Sequence, residues 1–217
     1  RHGRHGRHGR HDVTQYCYIK KYKKVLHVGA FFLHNIGMKI KNHLFEEVTF
    51  LSSPNYNDRP SEKSISLIVL HSISLPPTVF GNSYVEDFFT NKLCKTQYDY
   101  LNNIRNLKVS SHIYIKRSGK IIQFVPFDKR SWHAGESSYE NIENCNDYSI
   151  GIELEGCDDI VYEDVQYNKL AEVINSLIEN YIDLTAERIV SHSDIAPNRK
   201  TDPGPLFDWK RLKTMIK

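Results

Sequence analysis

Leu67-Ile68-Val69-Leu70-His71-Ser72 (67–72) is an apolar run that ends on a titratable side chain, and it decides the fold class. Ile65–His71 has strand length, and its apolar centre does not alternate with polar residues. That pattern belongs to an interior strand of a sheet covered on both faces. Ser72-Ile73-Ser74-Leu75-Pro76-Pro77 then reads as a turn-bearing loop. Further along, Val85–Phe89 predicts a short helix and Val109–Lys116 a β-branched, alternating strand. Arg117-Ser118-Gly119-Lys120 is a hairpin turn into Ile121–Val125. Residues 128–147, rich in Gly, Ser, Asn and Asp, read as a long loop. Ser149–Glu155 alternates cleanly, with Ile150, Ile152 and Leu154 on one face and Gly151, Glu153 and Glu155 on the other. The clearest helix runs from Asp164, its expected N-cap, to Ile182. Tyr167, Leu170, Ala171, Ile174, Leu177, Ile178 and Tyr181 make its apolar face. Arg188–His192 is a last strand and Trp209–Ile216 a closing helix. Strands and helices mixed in this way predict one α/β domain, a central mixed β-sheet flanked by helices.

The 217 residues suffice for one domain with a substantial core. No stretch reaches the ~18–20 consecutive apolar residues of a membrane span. Cysteines at 17, 94, 145 and 157 show no C-x-x-C spacing and read as thiols of a reducing compartment. The net charge of +3 hides an uneven distribution. Residues 1–37 carry eight Lys/Arg against one Asp, and six of the eleven His, so residues 38–217 hold 21 basic and 25 acidic side chains. A body at about −4 offers no basic patch for nucleic acid; neither nucleic acid nor membrane is expected as a partner, and a monomer is expected.

The first 37 residues open with Arg-His-Gly repeated three times and continue through a Lys-rich stretch to the apolar piece Val25–Leu33. A metal- or phosphate-binding arm and a targeting segment are both compatible with that composition. The plainer alternative is an upstream or non-native extension, because Met38 stands just before sequence that flows into the body. Disorder is the expectation under each. The functional domain is then 38–217.

Chemistry concentrates at three residues. His71 ends the buried run, while His192 and Asp202 bracket a loop stiffened by Pro197, with Pro203 and Pro205 directly following. Two imidazoles and a carboxylate are the ligand set of a catalytic zinc with a fourth position left open. A lone histidine is more often a satisfied core residue; two at strand ends with a rigidly held carboxylate favour metal. Glu153 is the candidate for proton transfer, preceded by Gly151, which leaves room for a ligand; Glu155 on the same face is its rival. Lys200, two residues before Asp202, is a candidate oxyanion stabiliser or an ordinary surface lysine. His112 reads as structural, within its strand. His133, in Trp132-His133-Ala134-Gly135, suits contact with a sugar or peptide, or anchors its loop. These residues together indicate a zinc hydrolase.

Longer blocks carry a family likeness: LIVLHSISLPP (67–77), FGNSYVEDFF (80–89), VSSHIYIKRSGKIIQFVPFDKRSWHAG (109–135), CNDYSIGIELEG (145–156) and SHSDIAPNRKTDPGPLFDW (191–209). With PNYNDRP (54–60) ahead of them, they resemble the bacterial AmpD family over about residues 38–217. These are cytoplasmic 1,6-anhydro-N-acetylmuramyl-L-alanine amidases of cell-wall recycling. The resemblance implies the fold shared by type 2 amidases and peptidoglycan recognition proteins. It also implies zinc on His71, His192 and Asp202, with Glu153, in preference to Glu155, and Lys200 catalytic. The implied substrate is an anhydro-muropeptide, with Trp132, His133 and Arg199 as candidate contacts. Departures lie at Ser72, where the family commonly has Asn, and at Lys108 and Asn144, where it commonly has Arg. Lysine and asparagine cannot grip a carboxylate bidentately as arginine does, so stem-peptide preference is the property they put in question. An exported amidase acting on intact peptidoglycan and a non-catalytic recognition module are the alternatives; the latter typically lacks a zinc ligand.

Overall fold

The structure, a computed structural model, describes residues 37–217. Expectations for the N-terminal extension therefore lie outside the described residues, Gly37 excepted. In chain order the principal elements are β1 (Thr49–Phe50), β2 (Leu67–Ile73), α1 (Tyr84–Phe89), α2 (Asp99–Ile104), β3 (Ile113–Ile115) and β4 (Ile121–Gln123). They continue with β5 (Ser149–Glu155), α3 (Asp164–Asn180), β6 (Ile189–Ser191), α4 (His192–Ile195) and α5 (Trp209–Met215). The six strands form one sheet in the order β6-β2-β5-β3-β4-β1. Pairing is parallel except for the β3–β4 hairpin, so the sheet is mixed as expected.

Period-two alternation in the central strands divides the core. Ile68 and Leu70 of β2, Ile150, Ile152 and Leu154 of β5, and Ile113 and Ile115 of β3 join one cluster with Leu170, Val173, Ile174 and Leu177 of α3. On the other face the apolar residues fall into two separate clusters. One gathers Leu67 and Val69 with Ala134, Tyr148, Val190 and Ile195. The other gathers Tyr114 and Ile122 with Leu75, Val85, Phe88, Phe89 and Leu101. His71 and Glu153 lie on that face and belong to neither cluster. They are direct register partners across the parallel β2–β5 pair, which places an imidazole beside a carboxylate in the middle of the sheet.

Several local expectations are corrected. Glu163, extended at φ −76° and ψ 149°, caps α3 in place of Asp164, and its amide donates to the Gln166 side chain at 3.0 Å. Asp164 is already helical and its carboxylate pairs with Arg211 at 2.6 Å. The helix stops at Asn180 because Tyr181 turns to extended backbone. His112 precedes β3, although its amide still bonds the Gly151 carbonyl of β5. β6 ends at Ser191, and His192 opens the one-turn helix α4. Ser191 Oγ accepts from the Asp194 amide, and Asp194 Oδ2 accepts from the Ser191 amide, a reciprocal cap that turns the chain at that point. The stretch 128–147 is not plain loop: Lys129–Ser131 pairs with Tyr56–Asp58, and Ser138–Tyr139 with Ile142–Glu143. Helix α2, DYLNNI with only Leu101 buried, carries too few apolar residues for periodicity to reveal it. Among the described residues no helix is long and apolar enough to cross a membrane.

Leu170 is wholly buried between α3 and the sheet. Leu170→Ala is expected to lower unfolding free energy by about 2–5 kcal/mol, read from urea denaturation midpoints at constant slope.

Candidate active site

β2 delivers His71, the turn from β6 into α4 delivers His192, and the proline-bounded segment after α4 delivers Asp202. Their facing atoms crowd together. His71 Nδ1 lies 2.9 Å from His192 Nδ1 and 3.2 Å from Asp202 Oδ2, and His192 Nδ1 lies 3.0 Å from the same oxygen. Asp202 is held through its backbone, whose carbonyl accepts from the Ser193 amide at 3.2 Å, and through Pro203, whose carbonyl accepts from the Tyr162 hydroxyl at 2.7 Å.

The outer nitrogens decide where the protons sit. His192 Nε2 faces the Ala134 carbonyl at 3.1 Å, a pure acceptor, so Nε2 carries the hydrogen. His71 Nε2 faces His133 Nδ1 at 2.9 Å, and His133 Nε2 faces Ser149 Oγ at 3.1 Å. Ser149 spends its one hydrogen on the Cys145 carbonyl at 2.5 Å, so it accepts from His133. His133 Nδ1 is then an acceptor and His71 Nε2 a donor. Both Nδ1 atoms thus keep free electron pairs, turned toward each other and toward a carboxylate oxygen. Three electron pairs so close repel unless a cation joins them. Donors ~2.0–2.2 Å from a tetrahedral zinc stand ~3.3 Å apart, close to the observed spacing, so the three residues fit such an ion.

Electrostatics agree. Burial lowers His71 to about 4, with contact to Asp202 pulling the other way, so the imidazole is neutral at neutral pH. Burial, and then the neighbouring His71, His112 and His192, holds His133 well below the ordinary histidine value. Burial alone would raise Asp202; the two imidazoles beside it outweigh that and hold it well below the carboxylate range.

Glu153 and Glu155 meet opposite fates on one strand face. Glu155 gives one oxygen to the Gly81 amide at 2.6 Å and the other to the Arg117 amide at 2.8 Å, bracing two loops. Glu153 is 8% exposed, and its Oε2 has no hydrogen-bond partner among the described residues. Burial, then Asp202, raises its pKa well above the ordinary glutamate value, while Lys200 draws it down. Lys200 joins no ion pair among the described residues and lines the same cleft of about 660 Å3 as His71, Glu153, His192 and Asp202.

The candidate substrate contacts sit on the cleft wall but are partly committed. Trp132 Nε1 donates to Asn57 at 2.8 Å. Both ring nitrogens of His133 are engaged within the protein, and its ring serves His71. Arg199 is committed in part, since one guanidinium nitrogen bonds the carbonyls of Ala134 and Glu136 at 2.7 and 2.5 Å. The space over Gly151 holds the His133 ring rather than a ligand; a Cβ there would come within 2.5 Å of His133 Cγ. His112 is buried, accepting from the Gly151 amide at 3.0 Å and donating to the Lys129 carbonyl at 2.9 Å. Sequence reasoning missed Ser149, the Ala134 carbonyl, Asn146 and Arg59. Each lies within one of the blocks that carry the family likeness, the only signal of them in the sequence.

A mixed sheet with these polar groups on its central parallel strands is the architecture of the type 2 amidases. The chain belongs to the N-acetylmuramoyl-L-alanine amidase family, whose sequence profile matches residues 61–205. The 1,6-anhydro-N-acetylmuramyl-L-alanine amidase AmpD of Citrobacter freundii is 49% identical over 170 residues, 78% of this chain and 90% of its own. The crystal structure of a selenomethionine AmpD derivative superposes with a TM-score of 0.80 at 47% identity, covering 83% of this chain and all of that one. Escherichia coli AmiD, solved with the substrate anhydro-N-acetylmuramic acid-L-Ala-D-gamma-Glu-L-Lys, matches at a TM-score of 0.51 and 28% identity, over 72% and 60% of the two chains. The likeness read from the motifs agrees with these comparisons.

Because burial raises Glu153, its ionised form destabilises the metal-free fold above its folded pKa, and this cost vanishes below the unfolded value near 4.3. Glu153→Gln is expected to raise the Tm of the metal-free protein at pH 8, by about 2–4 °C per kcal/mol recovered. At pH 4 scanning calorimetry should find little difference.

Proposed function

We propose that this chain hydrolyses the amide between the lactyl group of 1,6-anhydro-N-acetylmuramic acid and the L-alanine of the stem peptide. It does so as a zinc enzyme of peptidoglycan recycling in the cytoplasm. The observation that carries this reading is the unpartnered Glu153 carboxylate oxygen in one cleft with the three converging donors of His71, His192 and Asp202. Support comes from the AmpD relatives, named for this activity, and from the muropeptide in the AmiD structure.

A bound zinc, on His71, His192 and Asp202, supplies Lewis acidity to the scissile carbonyl and to water. Glu153, whose Oε2 is unpartnered among the described residues, accepts a proton from the attacking water. As water oxygen bonds to the carbonyl carbon, negative charge grows on the carbonyl oxygen, and the Lys200 ammonium stands in the cleft to balance it. The carbon–nitrogen bond then breaks, its electron pair leaves on nitrogen, and Glu153 returns the proton there. The products are a peptide amine and the lactyl carboxylic acid, whose proton passes to the amine to leave an ammonium and a carboxylate. Ser72, Lys108 and Asn144 bear on which stem peptide is preferred.

The test is hydrolysis of anhydro-muramyl-tripeptide by the full chain, stripped of metal and then resupplied with zinc. Peptide release should appear only with zinc. Glu153→Ala should lower kcat about 10²–10⁴-fold with zinc binding retained, and Lys200→Ala about 10²–10³-fold. Binding of the muropeptide without cleavage by the zinc-loaded protein would make it a recognition module instead.

A further inference from the structure

Both imidazoles of the candidate metal site take their outer hydrogen-bond partner from one short stretch of chain. The His133 ring receives His71 Nε2–H, and the next residue, Ala134, offers its carbonyl to His192 Nε2–H. His71 and His192 are 121 positions apart and stand on different elements, yet adjacent residues set the orientation of both. That stretch is itself pinned at a single atom. Asn146 Oδ1 accepts the His133 amide at 3.1 Å and the Ala134 amide at 2.8 Å. Asn146 is 6% exposed and touches none of the three metal-site residues through any hydrogen bond. Its own main-chain carbonyl is gripped by Arg59 at 3.0 Å. The same guanidinium bonds the carbonyls of Asp147, Ser149 and Phe127, tying the stretch to the start of β5. From the other side, Gly151 of β5 leaves the His133 ring its space, and Ser149 fixes its far nitrogen.

We propose that Asn146 and His133 are positioning residues that set how tightly the site holds its metal ion, Asn146 acting at a distance by locking the stretch that aims both imidazoles. The inference rests on the metal reading of His71, His192 and Asp202 given above. Outer partners of ligating histidines fix ring orientation and raise ligand basicity, and losing one typically weakens metal binding ~10–100-fold. Asn146 reaches two such partners at once. An acceptor oxygen is required there because two backbone N–H groups converge on it. A carboxylate oxygen in the same place would accept both as well, whereas a methyl group would accept neither and leave them buried without partners.

Zinc affinity is measured on the full chain by competition with a chromophoric chelator, beside the visible spectrum of the cobalt-substituted protein and the Tm of the metal-free form. Asn146→Ala and His133→Phe are expected to bind zinc ~10–100-fold more weakly with an altered cobalt spectrum, and Asn146→Asp to stay within about threefold of the parent. His133→Phe fills the space over Gly151 without offering an acceptor, so it decides the matter if Asn146→Ala fails to fold. Variants that lose Tm but keep the parent's zinc affinity and cobalt spectrum would overturn the proposal, reducing both residues to structural supports. A parent protein that binds no zinc would overturn the metal reading itself; a parent that binds it, with variants that match, overturns this inference alone.

Discussion

Placing ionisable groups on an interior sheet face is the constraint around which the rest of this structure is arranged. His71, Glu153 and His192 are nearly inaccessible to solvent, and Asp202 is close behind. A buried polar atom without a partner costs free energy comparable to a lost hydrogen bond, and a buried charge costs more. The protein answers by supplying acceptors one at a time. His71 leans on His133, His133 on Ser149 and Ser149 on the Cys145 carbonyl, while His192 leans on Ala134. Each donor hydrogen is used once on the outer side, and every remaining electron pair points inward. The converging donors are therefore a product of proton bookkeeping around the site as much as of the three side chains themselves.

The two faces of the sheet divide the labour. Toward α3, the aliphatic side chains of the central strands join Phe127, Tyr162, Tyr167 and Phe207 in one continuous cluster, which supplies rigidity. On the opposite face the apolar packing splits in two, and the polar positions of β2 and β5 occupy the face outside both clusters. A strand needs no special backbone for this. Because alternate residues point to opposite faces, one strand such as β5 can present Ile150, Ile152 and Leu154 to a core and Ser149, Gly151 and Glu153 to a site. The contrast between Glu153 and Glu155 shows how far position governs chemistry. Two residues apart on one face, one carboxylate ties loops together through backbone amides, while the other keeps a free oxygen and a raised pKa.

Much of this was legible in the chain itself. The apolar run at 67–71, the alternation at 149–155 and the amphipathic pattern at 164–180 each encode their burial within a few turns or pleats. Such local patterns survive because the periods of strand and helix are fixed by backbone geometry. The identity of the three candidate metal ligands was readable too, since imidazole and carboxylate at strand ends and in a stiff loop are chemically conspicuous. Helix α2 and the ladder at Lys129–Ser131 were not readable, because their segments are mostly polar and carry too few apolar residues to mark a buried face.

What only the tertiary structure decided is who partners whom. Asn146 meets His133 and Ala134, Arg59 reaches four carbonyls up to 90 residues away, and Gly151 makes room for a ring, not a ligand. The sequence by itself determined which strand and helix faces are buried and which side chains are candidates for the chemistry, because side-chain type and periodicity are local properties. It could not say which carbonyl would receive the outer hydrogen of His192, because every residue carries the same carbonyl and only the folded chain brings one of them within reach.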